Sequence, residues 1–131
     1  MKPKRLISLL LAVCMVIAIL PVSAFAAENS TSGPCGDNAT WALTEDNNGD
    51  YTLTISGTGA MTDYSAKGDA PWFWANKQIR RIVIEDGVTT IGAHTFQACD
   101  RFYTIAIPAS VTSIGNAAFQ SCTSLETIDL S

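Results

Sequence analysis

Apolar and polar residues alternate with a period of two in three short stretches: Ile82-Val83-Ile84, Ile105-Ala106-Ile107 and Ile128-Asp129-Leu130. Successive strand residues point to opposite faces, so Ile82, Ile84, Ile105, Ile107, Ile128 and Leu130 are expected inward. Val83, Ala106 and Asp129 are expected outward. Glu85-Asp86-Gly87 ends the first strand as a turn, and Pro108 closes the second. A further inward pair follows each strand, Val88 with Ile91 and Val111 with Ile114, just before Gly92 or Gly115. Residues 93–99 and 116–122 are too short for a full helix. They suit one or two helical turns that turn Phe96 or Phe119, then Cys99 or Cys122, inward. Phe102 or Leu125 fills the last inward site of each unit.

These stretches recur at a fixed interval. Residues 82–104 laid over 105–127 give an offset of 23, and 10 of the 23 positions are identical. Among them are Ile82/Ile105, Val88/Val111, Gly92/Gly115, Phe96/Phe119 and Cys99/Cys122. A third unit opens at Ile128, and the register also runs backward, with Phe73 before Phe96 and Ile79 before Phe102. Phe73, Phe96 and Phe119 are therefore expected to pile into one column. A unit of this length, one short strand plus a short helical return, fits the leucine-rich class of solenoid. The expected fold is mostly β, in the α+β range: short parallel strands with helical returns. One unit cannot bury its apolar face alone, so stacking supplies the core. Each inward Ile, Leu or Phe contributes roughly 1.5–3 kcal/mol when fully buried.

The segment before the repeats has a different pattern. Residues 27–34 are rich in Ser, Thr and Gly around Asn29–Gly33 and read as a linker. Residues 40–43 and 51–56 read as two strands around the polar turn Glu45-Asp46-Asn47-Asn48-Gly49-Asp50. Trp41 and Leu43 share a face with Tyr51, Leu53 and Ile55. This N-terminal β-hairpin is expected to cap the first rung, with Trp72-Phe73-Trp74 completing the seal. The cap with its partial repeat then covers 35–81, and the repeats cover 82–104, 105–127 and the opening 128–131.

Residues 1–26 change how the totals are read. Lys2, Lys4 and Arg5 precede an apolar run from Leu6 to Leu20, then Pro21 and the small-x-small site Ala24-Phe25-Ala26. This is the pattern of a secretory signal peptide. The run is shorter than the roughly 20 residues of a spanning helix. Cys14 does not make a lipid-anchor site, because bulky Val13 precedes it and apolar residues follow. The expected location is secreted or cell surface, with no membrane contact after cleavage. The remaining chain carries five Lys and Arg against twelve Asp and Glu, a net charge of −7. That excludes a generic nucleic-acid binder, which needs a basic face to displace counterions.

No constellation of residues carries recognisable chemistry. The acidic turn lacks the full calcium-loop pattern, because Thr44 stands where an Asp is required. His94 is the only histidine and has no partner at metal-ligand spacing. It reads as a surface residue of the return. Trp72 and Trp74 could stack on sugar rings, although cap packing explains them more simply. Cys99 and Cys122 lie one unit apart and read as two buried thiols in preference to a disulfide. Cys35 is either free or paired near the cap. Neither a catalytic residue, a cofactor nor a metal is expected.

The pattern Ile-x-Ile-x-x-x-Val-Thr-x-Ile-Gly-x-x-x-Phe-x-x-Cys resembles the BspA-like leucine-rich repeat of bacterial surface proteins. Cys35-Gly36-Asp37-Asn38, the stretch Leu53 to Met61 and Ala70-Pro71-Trp72 resemble the segment that often precedes those repeats. Ala93-His94-Thr95 and Asp100-Arg101-Phe102-Tyr103 depart from its regular unit. The resemblance implies a non-enzymatic, adhesion-like module that contacts host matrix or bacterial surface proteins, with carbohydrate as a second class of partner. On that reading the partner meets the outward positions Arg81, Val83, Glu85, Thr104, Ala106, Thr127 and Asp129. Two alternatives stand beside it: the front of a longer surface enzyme or wall-attached protein, and a structural spacer. The third unit ends at Ser131, and its strand is expected to leave an open edge that favours self-association.

Overall fold

The computed structural model describes residues 29–130. The expected signal peptide lies outside them. From residue 31 onward the chain forms a single unit of mostly strand with almost no helix. The strands are β1 (Ser32–Pro34), β2 (Ala39–Glu45), β3 (Tyr51–Gly57), β4 (Gly59–Ala60), β5 (Ile79–Ile84), β6 (Val88–Ile91), β7 (Thr104–Ile107), β8 (Ser113–Ile114) and β9 (Thr127–Leu130). Six form one sheet in the order β1-β2-β3-β5-β7-β9. The other three form a second sheet in the order β4-β6-β8.

The hairpin forms as expected. β2 and β3 are antiparallel, with Trp41 opposite Ile55 and Leu43 opposite Leu53. Its turn is closed by Asp46, whose Oδ1 accepts hydrogen bonds from the backbone N–H of Asn48 (2.8 Å) and Asp50 (3.0 Å). That carboxylate is committed to the turn, as the hairpin reading required. Ser32–Pro34, within the stretch expected as a linker, instead pairs antiparallel with β2. Gly33 permits this: a Cβ there would stand 3.1 Å from the indole nitrogen of Trp41.

From β3 onward the large sheet is parallel. Ile82 pairs with Ile105 and Val83 with Ala106, the 23-residue offset. β7 and β9 continue it, from Thr104–Thr127 to Ile107–Leu130. Ile82, Ile84, Ile105 and Ile107 are buried while Val83 and Ala106 are exposed, as alternation dictates. Ile128 and Leu130 keep the inward register yet are exposed, because among the described residues no following coil covers them.

The hairpin does more than cover the first rung. β3 pairs parallel with β5, Leu53 beside Ile82 and Ile55 beside Ile84, an offset of 29. β4 likewise pairs with β6. β3 and β4 are thus the strands of a first coil that is six residues longer than its successors. Leu53, Ile55 and Met61 extend the buried core into it.

The expected helical returns are absent. Residues 93–99 and 116–122 are turns with left-handed backbone at His94 (φ 57°), Ala98 (φ 63°), Ala117 (φ 58°) and Ser121 (φ 61°). Left-handed residues break an α-helix. Some amides bond three residues back, as Cys99 N does to Phe96 O and Cys122 N to Phe119 O, but alternate amides of the first return bond across coils. The N–H groups of His94, Phe96 and Ala98 donate to the carbonyls of Asn116, Ala118 and Gln120 one coil away, at 2.9–3.0 Å. The return is therefore a third inter-coil ladder. Gly92 and Gly115 make the preceding corner tight enough to stack. A Cβ on Gly115 would stand 2.5 Å from the Ala93 nitrogen.

The aromatic column forms with one substitution. Phe96 and Phe119 stack with centroids 5.5 Å apart. The next ring in line is Trp72, 6.1 Å from Phe96, and not Phe73. Pro71 explains the slip. It occupies the position of His94, where the repeats need positive φ, and proline holds φ near −65°. The chain makes a 3-10 turn at Phe73–Ala75 instead, and Trp72 swings into the column, fully buried. Ile79 still aligns with Phe102, both buried.

Candidate functional site

The first coil offers one backbone donor to the return carbonyls of the second, and side chains take other places. Trp72 Nε1 donates to Thr95 O at 3.1 Å, and Asn76 Nδ2 donates to Ala98 O at 3.0 Å. Tyr64 N donates to Ala93 O, while Asp63 Oδ1 accepts from Ala93 N at 2.8 Å. The Trp72 contact satisfies a carbonyl that would otherwise be buried without a partner. These contacts account for Trp72 and Asn76 in structural terms. Trp72 also packs edge-on against Trp41 and Tyr64. Trp74 lies nearer the surface, edge-on to Tyr51.

The titratable and nucleophilic groups are similarly absorbed. Cys35, Cys99 and Cys122 are free thiols. Burial pushes all three up, Cys35 and Cys122 to about 11 and Cys99 to about 12, where neighbouring Cys122 and Asp100 add to the effect. Such thiols stay protonated near neutral pH and make poor nucleophiles. Cys122 Sγ lies 3.1 Å from Phe96 O, so this cysteine ties its coil to the turn of the preceding one. His94 Nδ1 lies 2.6 Å from Gln97 Oε1, and Gln97 Nε2 donates to Gln120 Oε1. Lys77 pairs with Asp100 at 2.6 Å, and the guanidinium of Arg80 lies over the Tyr103 ring. No metal-holding group of side chains exists among the described residues. None of their helices is long and apolar enough to cross a membrane.

The outer face of the large sheet is exposed. Arg81, Val83, Glu85, Thr104, Ala106, Thr127 and Asp129 are all exposed there. The register sets Val83, Ala106 and Asp129 in one row across β5, β7 and β9. Thr104 pairs with Thr127, and Arg81 lies beside Thr52 of β3. Thr54 of β3 extends the Val83 row, and Ser56 donates to Glu85 Oε1 at 3.1 Å. These β3 residues were missed by the repeat alignment, because their coil is six residues too long to register. Period-two alternation of Thr52, Thr54 and Ser56 was the available signal. A groove of about 560 Å3 opens at the carboxyl ends of β5 and β7, lined by Ile84, Glu85, Asp86, Ala106 and Pro108.

Parallel strands repeated at a fixed interval, a second short ladder and a core of stacked Ile and Phe define a leucine-rich-repeat fold. Residues 71–131 match the family described as the BspA type leucine rich repeat region (6 copies). Leucine-rich-repeat regions are generally protein-interaction modules. The crystal structure of a leucine-rich repeat protein from Eubacterium ventriosum is similar over 76% of this chain, with 32% identity and a TM-score of 0.67. The chain spans about a quarter of that protein's length (25%). Among curated proteins none matches.

Proposed function

We propose that this chain is an exported, non-enzymatic solenoid module that holds a protein partner on the outer face of its six-stranded sheet, at the bacterial surface or in the secreted fraction. One observation carries the reading: seven outward side chains from three successive parallel strands form a continuous exposed face with no covering layer among the described residues. A rigid stacked core behind the face favours binding, because little order is lost on contact. The family supports surface display and adhesion, and the signal-peptide pattern of residues 1–26 supports export. Capture of matrix proteins and bacterial surface extracts on the immobilised chain tests it. Alanine at Arg81 and Glu85 should reduce capture and leave the circular dichroism spectrum intact. Unchanged capture would remove this face from consideration.

A further inference from the structure

We propose that the groove at the carboxyl ends of β5 and β7 receives a lysine or arginine side chain of the protein partner. This deepens the sheet-face reading and rests on it. The groove originates in the differences between aligned units. Val83, Glu85 and Asp86 of one unit correspond to Ala106, Pro108 and Ala109 of the next. Ala106 lines the groove, and its small side chain stands in the row between Val83 and Asp129. The second unit has no carboxylate at 108 and 109, so the acidic lining of the groove comes from the preceding coil alone.

Two chemistries meet in that groove. Its lining combines the apolar Ile84, Ala106 and Pro108 with the carboxylates of Glu85 and Asp86. Asp129 stands beside Ala106 on the other flank. Lysine and arginine combine an apolar stem with a cationic end, and so match both parts of the lining together. Among the described residues no ion pair neutralises these carboxylates. Among the described residues the ion pair is Lys77 with Asp100, and Arg80 is engaged by Tyr103. Arg81 lies at the other end of β5, four residues or about 13 Å along the strand from Glu85. Glu85 is also held in place, its N–H donating to Ile55 O at 2.9 Å and its Oε1 accepting from Ser56. An acceptor fixed before contact loses little freedom when a cation arrives.

The test titrates the isotope-labelled full chain with the peptide Gly-Ser-Arg-Gly-Ser and with its citrulline counterpart, which keeps the shape and lacks the charge. The arginine peptide should shift amides at 84–86, 106–109 and 129. The citrulline peptide should bind at least tenfold more weakly. Ala106→Leu fills the groove without changing charge, and Glu85→Gln with Asp86→Asn removes the carboxylates. Each should weaken binding at least fivefold. Asp37→Asn with Asp69→Asn removes equal charge elsewhere and should change it less than twofold. Equal binding of both peptides would overturn the inference, as would equal weakening by the distant pair or an unaffected Ala106→Leu variant. Should those results appear while Arg81→Ala still abolishes capture of a surface partner, the groove assignment fails and the sheet face stands. Loss of dependence on Arg81 as well would remove both.

Discussion

Replacing Trp72 by alanine tests whether the first coil is tied to the repeats as described. Trp72 has no solvent exposure and packs against Trp41, Tyr64 and Phe96 with ring centroids 5.6, 5.9 and 6.1 Å away. Its indole N–H is also the donor to Thr95 O, which lies where water does not reach. Large-to-small changes at such aromatic sites cost about 3–5 kcal/mol. An orphaned buried carbonyl contributes about 1–3 kcal/mol of comparable losses. A domain of this size has only about 5–15 kcal/mol in total. Trp72→Ala should therefore remove a third or more of the stability and lower Tm by more than about 12 °C. Trp72→Phe keeps a ring in the column but still orphans Thr95 O, and should cost about 2 kcal/mol. Urea unfolding followed by far-UV circular dichroism measures both without relying on tryptophan emission. Trp74→Ala, at the surface edge, serves as the reference and should cost less than Trp72→Ala. A Trp72→Ala variant within about 1 kcal/mol of the parent would refute the side-chain cap.

Other positions give sharp contrasts. Ala98→Gly should stabilise by up to about 1 kcal/mol, because φ is 63° there, whereas a helical return would make it destabilising by about 0.5–1 kcal/mol. Gly92→Ala should cost at least about 3 kcal/mol by thermal melt, since the new Cβ would overlap the Thr62 carbonyl. Iodoacetamide at pH 8 should leave Cys99 unmodified in the folded chain and modify it fully in urea, read by mass spectrometry. The same thiols set an alkaline limit. Their folded values lie above the ordinary 9.0, so the stabilisation is complete below about pH 9 and drains away as pH climbs toward 11–12. The urea midpoint should fall between pH 8 and pH 10.5.

Residues repeated at equal spacing were readable, and residues that break the spacing were not. The recurrence of Ile-x-Ile marked the pairing of β5, β7 and β9 and the inward or outward sense of 82–84, 105–107 and 128–130. β3 escaped notice as a rung because its coil is 29 residues long, so Leu53 and Ile55 fell out of register with Ile82 and Ile84. The returns misled because seven residues with inward Phe and Cys satisfy one helical turn as well as a ladder. Only backbone hydrogen bonds to the next coil separate the two, and side-chain pattern does not encode them. Pro71 was visible, yet its effect on Trp72 required knowing that His94 is left-handed. The outward face followed from alternation alone. The groove did not, since Ala106 and Pro108 line one only when stacked beside Ile84, Glu85 and Asp86 of the preceding coil.

The side chains that finish the first coil also bear on how such a chain can evolve. Asp63, Trp72 and Asn76 meet the amide and carbonyl groups of the second coil with one-off geometry that no repeat reproduces. Unequal crossing-over that inserted another unit ahead of residue 79 would separate those partners. Gene duplication can therefore lengthen this lineage on one side of that boundary, and drift in copy number should be recorded only there.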